Sequence, residues 1–177
     1  MKKNSPFRIN LHELPRRAGE MREYNLKFPA PERIGTPLLG IDAGTELAIL
    51  IKAESVDDGV LISGSVQSSA HGECGRCLEP INEEIEQNFQ ELFLYESRKS
   101  DNPEDDEEIF AMEGDEADIE TPIRDAVILT MPLNPLCDLE CEGLCSECGE
   151  KWANLPADHA HDVIDPRWKG LSGWKPE

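Results

Sequence analysis

The chain has 177 residues, a net charge of −20 and six cysteines, and 38% of its residues are hydrophobic. That length suits one domain, and the modest apolar content predicts loosely structured ends. No apolar run reaches the roughly 18 residues that a transmembrane helix needs, and the start Met1-Lys2-Lys3 is not followed by the apolar core of a signal peptide. We therefore expect a cytoplasmic protein that is neither inserted in a membrane nor secreted.

The charge is unevenly distributed along the chain. Residues 1–33 contain eight Lys and Arg against four acids, whereas residues 96–120 contain twelve acids against two bases. A body this acidic would be repelled by a phosphate backbone. The composition therefore argues against a simple nucleic-acid-coating protein and favours basic proteins as partners.

The first half of the chain predicts an arm followed by a sheet. Residues 1–37 form a basic, proline-rich arm with one strand, in which Arg16-Arg17 is a candidate docking element. Residues 38–95 form the sheet core. The run Leu47–Ile51, the turn signal Asp57-Asp58-Gly59 and the alternation from Val60 to Val66 predict a hairpin. Residues 81–95 fit both a strand and a helix, and we favour a strand that continues this sheet.

The second half predicts a loop, one helix and a cysteine-rich tail. Residues 96–120 form an acidic flexible loop, and residues 121–177 form a helix and a Cys/His-rich C-terminal segment. Thr121 is the predicted N-cap and Pro122 the first-turn residue of a helix that ends before Pro132. The fold class is α+β, with a small, mostly antiparallel sheet, one main helix and a zinc-organised C-terminal segment.

All six cysteines fall in two clusters, and close-spaced cysteines in a reducing compartment are typical of metal sites. Two histidines follow the second cluster, so eight side chains could fill two four-coordinate zinc sites. We favour one site formed by Cys74, Cys77, Cys137 and Cys141, and a second formed by Cys145, Cys148, His159 and His161.

Other assignments stay open at this point. One zinc ion could be held by Cys74, Cys77, Cys145 and Cys148, with His159 and His161 on the surface. A Cys-x-x-Cys pair could also form a redox centre, although neither pair sits in the βαβ context that such centres have. No Ser/His/Asp, nucleophile-elbow or phosphate-cradling motif is present, so we expect no enzyme and name no catalytic residue.

The cysteine blocks and their neighbours resemble the YceD family, the large ribosomal RNA subunit accumulation proteins of bacteria. The resemblance spans essentially the whole chain, in the family's order, and is carried by Cys74-Gly75-Arg76-Cys77-Leu78, Met131-Pro132-Leu133, Pro135-Leu136-Cys137, Cys141-Glu142-Gly143-Leu144-Cys145-Ser146-Glu147-Cys148-Gly149 and Asp165-Pro166-Arg167-Trp168.

The resemblance implies a non-enzymatic ribosome-biogenesis factor that supports synthesis, processing or stability of large-subunit (23S) ribosomal RNA. The acidic body indicates binding to a basic ribosomal protein or a large-subunit assembly intermediate, and it does not imply direct contact with ribosomal RNA. The alternative function is a zinc-thiol redox sensor or holdase chaperone. The sequence does not indicate an oligomeric state.

Overall fold

The computed structural model describes residues 5–95, residues 110–161 and Arg167. Its elements in chain order are β1 (Arg8–Asn10), β2 (Met21–Pro29), β3 (Ile34–Gly35), β4 (Leu39–Ile41), β5 (Glu46–Ser55), β6 (Gly59–Glu73), β7 (Pro80–Leu94), β8 (Glu116–Asp118), α1 (Glu120–Thr130) and a short 3-10 turn at Trp152–Asn154. The described part is thus mostly β-sheet with one helix, as the predicted α+β class requires.

The main sheet is antiparallel and has six strands. Its order is β2-β5-β6-β4-β3, and β7 pairs with the other edge of β6. The predicted hairpin is confirmed, because β5 and β6 pair from Ala48↔Gln67 to Ser55↔Val60 around the Asp57-Asp58-Gly59 turn. The favoured strand reading of residues 81–95 is also confirmed. The β6–β7 ladder runs from Gly59↔Leu94 to Glu73↔Pro80, so the loop that carries the first cysteine pair lies at its end.

The core lies against the inner face of this sheet. In β5 the alternate side chains of Leu47, Ile49, Ile51 and Ala53 are buried, which is the period of two that a half-buried strand imposes. The helix α1 buries Pro122, Ile123 and Val127 and contacts β7 and β3. A two-stranded sheet, β1 with β8, completes the core by pairing Ile9 with Ala117.

Two segments of the chain have structures that the sequence did not predict. Residues 1–37 contain β1, β2 and β3 instead of one strand, and the whole of β2 pairs with β5 from Met21↔Glu54 to Pro29↔Glu46. In β2 the half-buried Tyr24, Leu26 and Phe28 alternate with exposed residues, which is the period of two of a strand. Part of the predicted acidic loop, residues 96–109, lies outside the described residues, whereas residues 116–118 form β8.

The helix starts slightly earlier than expected. It begins at Glu120, and Thr121 is inside the first turn instead of at the cap. Ile119 occupies the cap without a side-chain hydrogen bond, and the Glu120 N–H instead donates to Asp118 Oδ1 at 3.1 Å. No helix in the described part of the chain has the length and apolar character that a membrane crossing needs.

Candidate metal centres

The structure brings the eight predicted metal-binding side chains together in two groups. The four-cysteine cluster contains Cys74, Cys77, Cys137 and Cys141, and the Cys/His cluster contains Cys145, Cys148, His159 and His161. Within each group the potential ligand atoms lie within 4.8 Å of one another. Cys74 and Cys77 belong to one group, whereas Cys145 and Cys148 belong to the other. This arrangement agrees with two separate sites, because a single shared site would need these four cysteines in one group.

The distances suit a tetrahedral metal ion. The Sγ atoms of Cys74 and Cys141 are 3.8 Å apart, and those of Cys77 and Cys137 are 3.4 Å apart. Four sulfur ligands about 2.3 Å from a central ion would be about 3.8 Å from one another. Cys148 Sγ lies 3.6 Å from His159 Nε2, and one sulfur and one nitrogen ligand of a tetrahedral ion would also be about 3.6 Å apart. Both clusters can therefore hold an ion without rearrangement of the backbone.

The four-cysteine cluster joins two distant parts of the chain. Cys74 and Cys77 lie in the loop between β6 and β7 and are buried in the core, whereas Cys141 is half-buried and Cys137 is exposed. The second pair comes from the segment that follows α1. An ion bound here would connect the end of the β6–β7 hairpin to the post-helix segment.

Hydrogen bonds to backbone carbonyls already hold those two segments together. The Gly75 N–H donates to the Pro135 carbonyl at 2.8 Å, and the Arg76 guanidinium donates to the Cys141 carbonyl at 2.7 Å. A Cβ at position 75 would overlap Asn134 Oδ1, so a larger residue here would require the Asn134 side chain to move. The cysteines were recognisable in the sequence, whereas these contacts, which position the cysteines, are visible only in the structure.

The Cys/His cluster is formed within one short stretch of the C-terminal segment. Cys145 is buried, Cys148 and His161 are exposed, and His159 is half-buried. The His159 and His161 rings lie 4.4 Å apart, and the Trp152 ring packs edge-on against His159 at 5.6 Å. Cys145 is buried but lies outside the main hydrophobic cluster, and the neighbouring Leu144 packs against that cluster.

The two Cys-x-x-Cys loops have the same backbone structure. In the first loop the Cys74 N–H donates to the Glu79 carbonyl at 2.8 Å and the Leu78 N–H donates to the Cys74 carbonyl at 2.9 Å. In the second loop the corresponding bonds are Cys145 to Glu150 at 2.7 Å and Gly149 to Cys145 at 2.9 Å. The residue after the second cysteine has a positive φ in both, +60° at Leu78 and +72° at Gly149. We call these loops the first and second knuckle.

The comparison with known proteins supports one family. The family model described as "Large ribosomal RNA subunit accumulation protein YceD" matches residues 62–175, a range that includes all eight side chains of the two clusters. The chain belongs to the YceD family. The description of that family names the accumulation of large-subunit ribosomal RNA.

Relatives of this YceD-family chain occur in several bacteria. "Uncharacterized protein Rv2926c" of Mycobacterium tuberculosis is 39% identical over 94% of this chain and 80% of its own length. "Uncharacterized protein ML1660" of Mycobacterium leprae is 32% identical over 95% of this chain and 77% of its own length. "Uncharacterized protein YlbN" of Bacillus subtilis is 27% identical over 68% of this chain and 67% of its own length. No solved structure matches the chain significantly.

The knuckles of this YceD-family protein favour a thiolate at their first cysteine. A hydrogen bond from the Cys137 backbone is the main factor that lowers the pKa of Cys74 to about 6, and bonds from the Cys148 and Glu147 backbones lower the pKa of Cys145 to about 6. The hydrogen bond with the Cys77 side chain raises the pKa of Cys137 to about 12. Because metals bind thiolates, these backbone hydrogen bonds, from Cys137 to the first cluster and from Cys148 and Glu147 to the second, prepare one ligand of each cluster at neutral pH.

Two further findings concern residues outside the clusters. Arg16, predicted as part of a docking arm, donates to Asp115 Oδ1 at 2.7 Å and to the Gly114 carbonyl at 3.0 Å, and it lies over the Tyr95 ring. It therefore joins the arm to the body of the protein. The positive φ of Leu78 was missed, because no sequence pattern places leucine in that conformation.

Proposed function

We propose that this protein is a non-enzymatic ribosome-biogenesis factor that supports the synthesis, processing or stability of large-subunit ribosomal RNA. The observation that carries the proposal is the family match, which spans residues 62–175 and includes both clusters. A factor of this kind acts in the cytoplasm, where bacterial ribosomes are assembled.

Each cluster binds one zinc ion in this proposal, through the eight side chains described above. Thiolate and imidazole ligands in a tetrahedral arrangement favour zinc over magnesium or calcium, which prefer oxygen ligands. Four protein ligands fill the coordination sphere of zinc and leave no position for a reactive water. The metal therefore has a structural role, and the proposal assigns no catalytic residue.

The charge of the chain supports a protein partner. At −20 the chain would be repelled by ribosomal RNA and attracted to basic ribosomal proteins or to assembly intermediates that expose them. Several basic residues of the described N-terminal part pair with acids of the same chain. Arg8 contacts Glu113 at 2.9 Å and Glu116 at 3.4 Å, and Arg22 pairs with Glu13. These contacts support binding to a basic protein instead of to RNA.

Deletion of the gene in its own cell tests the function. We expect the ratio of large-subunit to small-subunit ribosomal RNA to fall and precursors of the large subunit to accumulate, and a plasmid copy of the gene should restore the ratio. An unchanged ratio in the deletion strain, at all growth temperatures tested, would overturn the proposal. A second control is a strain that lacks an unrelated acidic protein, in which the ratio should not change.

A zinc-thiol redox sensor or holdase is the second candidate. Cys137 and Cys148 are exposed, and each shares a cluster with a cysteine whose pKa is lowered to about 6, so both clusters are accessible to oxidants. Mild peroxide that releases metal and produces chaperone activity in an aggregation assay would favour this candidate. Retention of metal, with no such activity, would leave the ribosomal function as the better account.

A further inference from the structure

Leu78 adopts a backbone conformation that leucine avoids. Its φ is +60°, and among the described residues it is the only non-glycine residue with a positive φ. A side chain in this region costs free energy because the Cβ approaches the neighbouring carbonyl group. The corresponding position of the second knuckle is Gly149, which avoids that cost. The same loop is therefore made with glycine in one knuckle and with leucine in the other.

The fold gains little from the Leu78 side chain. It is 59% exposed, and it lies outside the hydrophobic core that contains its neighbours Cys74 and Cys77. Strained residues that persist in a protein are concentrated at functional positions. A strained and exposed apolar side chain indicates a role in binding, because folding alone would favour glycine here.

Other exposed leucines border the same cluster. Leu139, between Cys137 and Cys141, is 90% exposed, and Leu133 is 88% exposed. Leu133 precedes Asn134, whose side chain lies against the first knuckle at Gly75. We call Leu78, Leu133 and Leu139 the leucine surface. Each of the three lies within four residues of a cysteine of the four-cysteine cluster, whose sulfur atoms lie within 4.8 Å of one another. Exposed apolar side chains gathered in one place on a soluble protein mark interaction sites.

The charge around the leucine surface indicates the partner. Residues 125–150 contain six acids and no Lys or Arg: Asp125, Asp138, Glu140, Glu142, Glu147 and Glu150. The nearby bases are Arg76 of the first knuckle, which donates to the Cys141 carbonyl, and Lys151, which pairs with Glu79. Phosphate groups would be repelled from this surface, whereas Lys and Arg side chains would be attracted to it. The chemistry that fits is a protein segment in which apolar side chains alternate or cluster with basic ones.

A groove elsewhere on the molecule fits such a segment less well. It has a volume of about 740 Å³ and lies on the outer face of β2, β5, β6 and β7 around Leu50, which is 53% exposed. Its charged lining residues, Glu23 and Lys52, have opposite signs, and the others are polar or apolar. The groove lacks the acidic excess that surrounds the leucine surface.

We propose that the leucine surface is the docking site for a basic, apolar-containing segment of a ribosomal protein of the large subunit. The inference rests on the proposed function and names the surface through which it is carried out. Leu78 contacts the apolar side chains of the segment, and the acids of residues 125–150 contact its Lys and Arg side chains. The strain at Leu78 is thus retained for the contact that its side chain makes with the partner.

Binding to defined peptides tests this surface. Overlapping synthetic peptides that cover the large-subunit ribosomal proteins are labelled, and their affinity for the metal-loaded chain is measured by fluorescence anisotropy at physiological salt. The variants are Leu78→Gly and Leu78→Ala, and the matched control is Leu50→Ala, which removes an equally exposed leucine from the outer face of the sheet. Metal content and the unfolding midpoint are measured for each variant.

We expect the bound peptides to combine Lys or Arg with apolar residues. Both Leu78 variants should bind them at least about tenfold more weakly, the effect expected for the loss of one buried leucine side chain, and Leu50→Ala should bind as the unchanged chain does. Unchanged affinity of Leu78→Ala, binding of peptides that contain basic residues alone, or binding of large-subunit RNA in place of every peptide would overturn the proposal.

A cell-based comparison separates failure of this proposal from failure of the proposed function. The large-subunit RNA ratio is measured in the deletion strain complemented with the Leu78→Gly gene or with the unchanged gene. Full rescue by Leu78→Gly, together with a low ratio in the deletion strain, would overturn the leucine surface and leave the function standing. An unchanged ratio in the deletion strain itself would instead overturn the function.

Discussion

Removal of one ligand from each cluster, as Cys77→Ser and Cys148→Ser, gives the most direct test of the two-site assignment. The side chains of Cys77 and Cys148 belong to different groups, and no potential ligand is shared between these groups. The unchanged chain should contain two zinc ions, each variant should contain one, and the double variant none. A serine hydroxyl is a poor zinc ligand, so each substitution leaves only three effective ligands in its own cluster.

The two variants should differ in stability. Cys74 and Cys77 belong to the hydrophobic core, so the ion in their cluster is lost when the sheet unfolds. If free zinc exceeds the dissociation constant about a thousandfold, loss of this site should lower the free energy of unfolding by about 4 kcal/mol. Cys148 is exposed and lies outside the hydrophobic core, so we expect its segment to open locally and its loss to lower the stability of the sheet by less than about 1 kcal/mol.

Elemental analysis of protein purified without added metal measures the zinc content, and urea unfolding monitored by circular dichroism measures the stability. The alanine variants Cys77→Ala and Cys148→Ala are the control for coordination of zinc by the serine hydroxyl. One ion in the unchanged chain, lost in both variants, would refute the two-site assignment and restore the single shared site. Absence of metal would discard the zinc proposal and strengthen the redox candidate.

Three other predictions follow from local geometry. Leu78→Gly should raise the free energy of unfolding, measured by urea unfolding, by about 1 kcal/mol without a change in metal content. A lower free energy of unfolding would contradict the strain argument. Gly72→Ala should lower the free energy of unfolding by about 3 kcal/mol, because the new Cβ would overlap the Leu38 carbonyl oxygen. In the metal-free chain, thiolate absorbance should show that Cys74 and Cys145 titrate near pH 6. Because the folded protein lowers the pKa of both thiols from 9.0, the stability that they contribute is present above pH 9 and is lost as the pH falls through 6. A first thiol titration near pH 9 would contradict this prediction.

The parts of the fold that were predicted correctly depend on short-range patterns. The β5–β6 hairpin was recognisable because two alternating runs flank Asp57-Asp58-Gly59, and α1 because an apolar run lies between Pro122 and Pro132. The pairing of β2 with β5 was missed because register between strands distant in sequence depends on packing that no local pattern encodes. The order of the strands could not be derived for the same reason.

The grouping of the clusters was predictable from ligand number and spacing, since six cysteines and two nearby histidines provide two sets of four. The structure adds what spacing does not contain. The contact of Gly75 with Asn134, the repeated hydrogen bonds of the knuckles and the positive φ of Leu78 all depend on backbone geometry. The sequence therefore indicated the candidate ligands, whereas the backbone geometry that positions them is visible only in the structure.

The position of the four-cysteine cluster connects the proposed metal to the proposed docking site. Leu78 follows the cysteine pair of the β6–β7 loop, whereas Leu133 and Leu139 belong to the segment after α1, so the leucine surface is composed of two segments that the cluster joins. Removal of zinc by a chelator should therefore weaken peptide binding at least as much as Leu78→Ala does, although all three leucines remain. The Cys148→Ser variant is the control, because it loses the other ion and should keep most of the affinity. Full peptide binding by the metal-free chain would show that the backbone contacts of Gly75 and Arg76 hold the two segments together without the metal, and the docking site would then be independent of zinc.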